Sequence, residues 1–476
     1  MACLTVVAAL LCKMVTEGVL QWVLHAVAFA LLLLGGYGIS RRTANKQAKK
    51  PFVMTARVKR LYGVSAVVLF GLNAAMVAFT GSYLALAVLS FLLPMTVALC
   101  GLLAWPIEKL ISEMYFRDAQ RILRNRKDLI CIGITGSYGK TSVKFILGTI
   151  LQEKFQTLIT PASFNTPMGL TKVIRTKLLP SHQVFVAEMG ARHVGDIKEL
   201  CRLVHPTLGV ITSVGPQHLD TFKTLERIKK TKYELMDAIP ADGHCFFPDD
   251  EGICAELYEK TTKPKTLASG KASKEASVWV QEVRVSSEGS QFLLCTAKEK
   301  IPVTTKLLGA HNIQNIALAA SVALHLGMTM KQVARGIARL EPVEHRLQLL
   351  HGGAYTVIDD AFNSNPAGSK AALEVLRQFP ARRIIVTPGM VELGAQEEAF
   401  NRSFGELMAE CVDVAILVGK RHTAPIAEGL QQKGFPQEKL HIVASLNEAA
   451  TLLQNIGQPG DVVLFENDLP DHYSEA

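Results

Sequence analysis

The sequence predicts an α/β protein. N-terminal transmembrane helices come first, then a central P-loop parallel-sheet domain with a small antiparallel β appendage, then a C-terminal Rossmann-like α/β domain. Three observations predict it. Uncharged apolar runs occupy residues 18–39, 61–79 and 83–105. A short β-branched run, a glycine loop and a helical pattern follow one another from Leu129. Beyond residue 345, strand and helix patterns alternate, which argues for a parallel sheet.

The uncharged runs have the length of bilayer crossings. Pro94 within the third is tolerable in a membrane helix. The apolar stretch MACLTVVAALLC lacks a basic start and is followed by further runs, so a cleaved leader is not expected. Three spans are expected, or four if residues 1–15 also insert. The chain carries a formal charge of +9, and the segment from Arg41 to Arg60 supplies eight basic residues and no acid. A basic face on a folded domain would point to nucleic acid. A basic loop between apolar runs instead predicts a cytosolic loop near anionic lipid, with no nucleic-acid partner. The expected placement is multi-pass in a bacterial cytoplasmic membrane, with everything after Pro106 in the cytosol. Residues 107–127 read as an amphipathic connecting helix. The nine cysteines are scattered without a CxxC pair, as in a reducing compartment.

The stretch GITGSYGKTS, residues 133–142, follows the apolar run Leu129–Ile134 and precedes VKFILGTILQEK. Strand, glycine loop and helix are the context of a phosphate-binding loop. Glycines let backbone N–H groups approach phosphate oxygens, and the helix N-terminus adds a favourable field. Lys140 is expected on the β/γ-phosphates and Thr141 on Mg²⁺. The generic motif requires a glycine at position 134, where this chain has Ile134. Further on, VFVAEMG reads as a strand with Glu188 at its C-terminal end, where open parallel sheets place ligands; a carboxylate there suits Mg²⁺. LGVITSVGPQHLDTF leads from another strand to His218, and LERIKKTKYELMDAI is a helix carrying Lys232.

Together these segments resemble the Mur ligase superfamily, most closely its MurF type, the UDP-N-acetylmuramoyl-tripeptide–D-alanyl-D-alanine ligases. The resemblance runs from about Leu129 to Asp461. The loop TGSYGKT is similar to that family's shorter TGTNGKT. SFNTPMGL, EMGARHVGDI, ITSVGPQHLDTF, LLGAHNIQNIALAASVAL, LEPVEHRLQ, VIDDAFNSNPAGSKAAL and PGMVELG resemble family segments in the family's order.

The resemblance implies ATP and Mg²⁺ as cofactors. It implies nucleotide contacts along Thr135, Gly136, Ser137, Tyr138, Gly139, Lys140, Thr141 and Ser142. Asn312 and Asn315 would approach the adenine, and Arg346 and Asp360 would close on the nucleotide. Thr141, Glu188 and His218 would hold the metal. Lys140, His218, Lys232 and Arg346 would serve catalysis, Lys232 falling where some Mur ligases carry a carbamylated lysine. Asn363 and Asn365 would shape the cleft.

The implied division is a transmembrane region at 1–105, a linker helix at 106–127, a central ATP-binding domain at 128–345 and a C-terminal domain at 346–476. The implied reaction is ATP-dependent amide formation through an acyl phosphate. Where the family reads GDxVLVKGSR this chain reads GDVVLFENDLPDHY, and FFPDD has Pro248 at the family's Asn. With apolar runs where the family has its sugar-nucleotide domain, the expected reading is a membrane-anchored ligase. Its carboxylate substrate would be a cell-envelope precursor, lipid-linked, and its amine donor an amino acid or dipeptide. The alternatives are ordinary MurF activity, a poly-γ-glutamate-type ligase, and a non-catalytic nucleotide-binding scaffold.

Overall fold

The computed structural model describes residues 53–80, 93–162, 164–350, 353–362 and 364–469. The chain divides into two compact bodies, Met1–Tyr115 and Phe116–Ala476. In the first, α1 (Ala56–Thr80) is tied to α2 (Leu93–Arg124) by a two-pronged ion pair. Arg60 donates from Nε to Glu108 Oε1 at 2.5 Å and from Nη2 to Oε2 at 2.9 Å.

The expectation of three membrane spans, and with it a multi-pass membrane placement, is corrected. Among the described residues one helix, Met95–Arg124, is long and apolar enough to cross a membrane. The helix does not stop at Pro106, where a span was expected to end, because an internal proline costs a backbone hydrogen bond without necessarily ending a helix. It continues as a charged, amphipathic rod whose Phe116, Ala119 and Leu123 are buried in the second body's core. Residues 1–52 and 81–92, which include the run at 18–39, the start of the third run and the basic residues Arg41 to Lys50, lie outside the described residues, as does Asn363.

The second body opens with β1 (Ile130–Thr135), whose burial on both faces fits its near-continuous apolar sequence. After it come α3 (Lys140–Leu151), β2 (Thr157–Ile159), α4 (Pro167–Lys177), β3 (Val184–Glu188), α5 (Asp196–Val204) and β4 (Leu208–Ile211). Next are α6 (Leu225–Ala238), β5 (His244–Pro248) and β6 (Lys265–Ala268). The strands run β2-β3-β1-β4-β5-β6, all parallel. From β1 the chain places β2 at one edge and β3 between β2 and β1, then adds β4, β5 and β6 on the other side, so the C-terminal end of β1 is the switch point where such sheets bind ligands.

The expected antiparallel appendage is β7 (Val278–Ser286), β8 (Gly289–Thr296) and β9 (Lys300–Thr305). It extends the same sheet, since β7 joins β6 in parallel at Ala268 and Val278. The chain then enters α7 (Ala310–His325) and α8 (Met330–Ala338). Val143, Ile146, Leu147 and Ile150 of α3 pack in one core with Ala317, Ala320 and Ala323 of α7. The small residues let the two helices lie close.

The remaining chain forms a second sheet. Its elements are β10 (Gln348–Leu350), β11 (Thr356–Asp360), α9 (Pro366–Leu376), β12 (Arg383–Thr387), α10 (Glu397–Cys411) and β13 (Val414–Val418). They are followed by α11 (Ala424–Gln432), β14 (Leu440–Val443), α12 (Leu446–Ile456) and β15 (Val462–Glu466). The order is β10-β11-β15-β12-β13-β14, parallel except for β10.

Candidate active site

The loop between β1 and α3 is fixed by its own side chains. Thr135 Oγ1 donates to Met189 O at 3.1 Å, and Ser137 Oγ to Gly215 O at 2.9 Å. Tyr138 N donates to Ser213 Oγ at 2.7 Å, and Tyr138 Oη to Pro216 O. Gly139 has φ 78° at the N-cap of α3, a conformation that suits glycine. A Cβ on Gly136 would stand 2.1 Å from Thr212 Oγ1. These side chains hold the loop, which leaves backbone N–H groups and the start of α3 to meet an anion. Lys140 Nζ donates to Gly136 O at 2.6 Å and Ser137 O at 3.0 Å. Desolvation pushes its ammonium down to about 8, with the Glu188 charge opposing and the Arg346 charge adding.

Glu188, at the end of β3, is 1% exposed and is the polar centre of the site. Thr141 Oγ1 donates to it at 3.1–3.2 Å and Asn165 Nδ2 at 3.1 Å. Lys144 Nζ donates to its Oε2 at 2.9 Å. His218 has φ 52°, and its Nδ1 stands 2.6 Å from Glu392 Oε2 of the second sheet's lobe. Lys232 is buried on α6, and burial, then the nearby Lys140 charge, holds its ammonium well below the usual lysine range.

The second lobe approaches from the opposite side. Arg346 lies over the Phe362 ring at 4.4 Å. Leu347 N donates to Asp360 Oδ1 at 3.1 Å. Burial, then the neighbouring Glu466 charge, pushes the Asp360 carboxyl up to about 8. On α7, Asn312 Nδ2 donates to Leu308 O at 2.9 Å, and Asn315 faces Gly139 so closely that a Cβ there would lie 3.1 Å from its Oδ1. A cleft of roughly 1230 Å³ runs between these groups. Ser137 to Ser142, Glu188, His218, Asn312, Asn315, Arg346 and Asp360 all line it. Thr135, Gly136 and Lys232 lie behind its walls. Asn365 lines it too, and also caps α9 by accepting from Gly368 N at 2.8 Å.

The residues that depart from the expected GDxVLVKGSR pattern are structural knots. Glu466 is 1% exposed, accepts from Thr387 Oγ1 at 2.7 Å and from Ser364 Oγ, and pairs in register with Asp360. Asn467 Nδ2 donates to Gly389 O, and its Oδ1 accepts from Ser364 N at 3.1 Å.

Lys144, Asn165 and Glu392 are not among the residues expected at the site from sequence. Lys144 had a signal: a lysine among apolar residues of a core helix is rarely buried unless paired. Asn165 and Glu392 lie inside segments noted for resemblance, and nothing in those segments says what they touch.

The residues fit a nucleotide and a divalent ion. The left-handed glycine and the helix N-terminus make an anion cradle, and Thr141 with Glu188 supplies only oxygen donors, the set a hard cation such as Mg²⁺ takes. Residues 134–323 match the Mur ligase middle domain, and residues 345–466 the Mur ligase, glutamate ligase domain.

The chain belongs to the Mur ligase family.

It is 30% identical over 324 residues to the UDP-N-acetylmuramoyl-tripeptide–D-alanyl-D-alanine ligase of Escherichia coli (strain K12), covering 67% of this chain and 71% of that one. It is 32% identical over 366 residues to the ligase of that name from Mycobacterium bovis, covering 71% and 70%. The crystal structure of MurF from Acinetobacter baumannii superposes with a TM-score of 0.68 at 26% identity, over 75% of this chain and 77% of that one. As a Mur ligase, the protein is an ATP-dependent acid–amino-acid ligase that uses ATP and Mg²⁺. Likeness to MurF ligases over two thirds or more of the chain overturns the multi-pass membrane localisation; among the described residues one helix is long and apolar enough to cross a membrane.

Proposed function

We propose that this Mur ligase has ordinary MurF activity: it joins D-alanyl-D-alanine to the terminal carboxylate of a UDP-N-acetylmuramoyl-tripeptide, in peptidoglycan precursor synthesis. The observation that carries this reading is the cleft in which the β1–α3 loop and Glu188 face Arg346 and Asp360 from the second lobe. Names shared by relatives at about 30% identity supply the substrates. Those names give the acceptor as a UDP-linked peptide, and none of them names a lipid-linked one.

In this reading a substrate carboxylate oxygen attacks the γ-phosphorus of ATP, ADP leaves, and the resulting acyl phosphate is opened by the amine, which loses a proton as phosphate departs. Lys140 and the N-terminus of α3 offset the crowding of anions. Thr141 and Glu188 would hold Mg²⁺, which when bound would supply positive charge beside the phosphates. Asn312 and Asn315 shape the nucleotide base site. Arg346 and Asp360 arrive with the second lobe and complete the pocket only when the lobes are together, which keeps water out. Burial holds the Lys232 ammonium well below the usual lysine range, the direction that favours the amine form carbamylation requires.

The test incubates the full chain with ATP, Mg²⁺, the UDP-tripeptide and D-Ala-D-Ala. Phosphate release and a UDP-pentapeptide product, each requiring both substrates, are expected. No release with this pair overturns the reading.

A further inference from the structure

Lys144 is a charged side chain with no exposure to solvent, one turn along α3 from the loop's Lys140. Burying an ammonium costs several kcal/mol unless it is paired and hydrogen-bonded. Here both conditions hold. Its Nζ donates to Glu188 Oε2 at 2.9 Å and to the carbonyl of Ala162, and lies 4.7 Å from the centre of the Phe145 ring. Glu188 is the carboxylate that Thr141 touches, and Asn165 fixes its other oxygen. The carboxylate therefore already has a resident cation.

We propose that Lys144 is a positioning residue that neutralises Glu188 and so makes metal binding depend on the nucleotide. With Glu188 balanced, a divalent ion entering alone meets almost no net negative charge and a fixed ammonium a few ångströms away. Phosphate oxygens brought by the nucleotide supply the missing charge, so metal and nucleotide enter together. The lysine also keeps Glu188 in place without the metal, sparing the empty site an unpaired buried carboxylate. The proposal rests on placing Mg²⁺ between Thr141 and Glu188, as in the functional reading above. It needs neither the acid nor the amine substrate, so its failure and the failure of the D-Ala-D-Ala reading are separate results.

The test is a titration of the full chain with Mn²⁺, following the free ion by electron paramagnetic resonance, with and without ADP. In the unsubstituted protein Mn²⁺ is expected to bind at least about tenfold more tightly with ADP present. Equal affinity in the two conditions overturns the proposal without any variant. Lys144→Met is expected to bind Mn²⁺ without ADP at least about tenfold more tightly than the parent, whereas Lys144→Arg, which keeps the charge, stays weak. If Lys144 only braced the carboxylate, Lys144→Met would bind Mn²⁺ as weakly as the parent or more weakly, and that result refutes the assignment. Should Lys144→Met not fold, the parent's dependence on ADP and the behaviour of Lys144→Arg still decide: strong Mn²⁺ binding by Lys144→Arg without ADP also overturns it.

Discussion

His218 and Glu392 meet at 2.6 Å, although they lie on different sheets' lobes and each is less than a fifth exposed. Arg192 Nη2 lies 3.5 Å from the other oxygen of the same carboxylate. Both His218 and Glu392 take positive φ, so local backbone strain is offset by the contact they make. A partly buried hydrogen bond to a charged group is worth about 1.5–3 kcal/mol. Glu392→Ala is therefore expected to loosen lobe closure. Small-angle scattering of the nucleotide-free protein should show a larger radius of gyration, together with a higher KM for ATP. An unchanged radius would show that the pair does not hold the lobes.

Lys140 is the cation expected to face the transferred phosphate. Lys140→Ala should lower ATP-dependent phosphate release by about 10³-fold, the scale seen when one preorganised charge partner is removed. Circular dichroism should show an intact fold, because Thr135, Ser137 and Tyr138 still hold the loop when the two bonds from Lys140 Nζ to Gly136 O and Ser137 O are lost. Retained turnover would remove Lys140 from the proposed mechanism.

Asp360 gives a pH dependence with a definite sign. Its carboxyl is pushed up to about 8 in the folded protein, first by burial and then by Glu466, against about 3.9 in an unfolded chain. Between roughly pH 4 and 8 the folded state thus keeps a proton that the unfolded state has released, and this group's contribution to stability falls as pH rises. Asp360→Asn does not titrate. Thermal melts at pH 5 and pH 8 should show the variant gaining on the parent at the higher pH; a constant difference in Tm would contradict the shifted carboxyl.

The helix pair α10 and α11 crosses at glycines. A Cβ on Gly405 would lie 2.1 Å from Ile426 O, and one on Gly429 equally close to Arg402 O. Gly405→Ala should cost about 1–3 kcal/mol, the usual scale of overpacking, read as a drop in Tm. Gly353→Ala, where nothing lies within 4 Å, is the control and should leave Tm unchanged.

The α/β alternation was legible because β-branched runs and helical periodicity carry it locally. The alternation expected beyond residue 345 appears as β11 to β15 with helices between them, whereas the antiparallel β10 was not foreseen. The glycine loop was legible for the same local reason. What could not be read were pairings between distant residues. Lys144 finds Glu188 across 44 positions, and His218 finds Glu392 across 174. Asn365, expected to shape the cleft, also spends its side chain capping α9, a role fixed by the following Pro366 and Gly368. The end of the third apolar run was not legible: α2 does not stop after it but continues past Pro106 until Phe116, Ala119 and Leu123 enter the core.

The order of the second sheet has a consequence for how the protein is made. β15 comes after β10 to β14 in the chain, yet it lies between β11 and β12 and carries Glu466 to Asp360. A nascent chain on the ribosome cannot assemble this lobe strand by strand. Until residues 462–466 emerge, β11 and β12 have a gap between them, with unpaired backbone groups facing it. Lobe assembly must therefore be a late, long-range event, slow in the way such contacts are. A chain interrupted before residue 462 would lack the central strand that brings Asp360 to its neighbours, and would expose two sheet edges open to wrong partners.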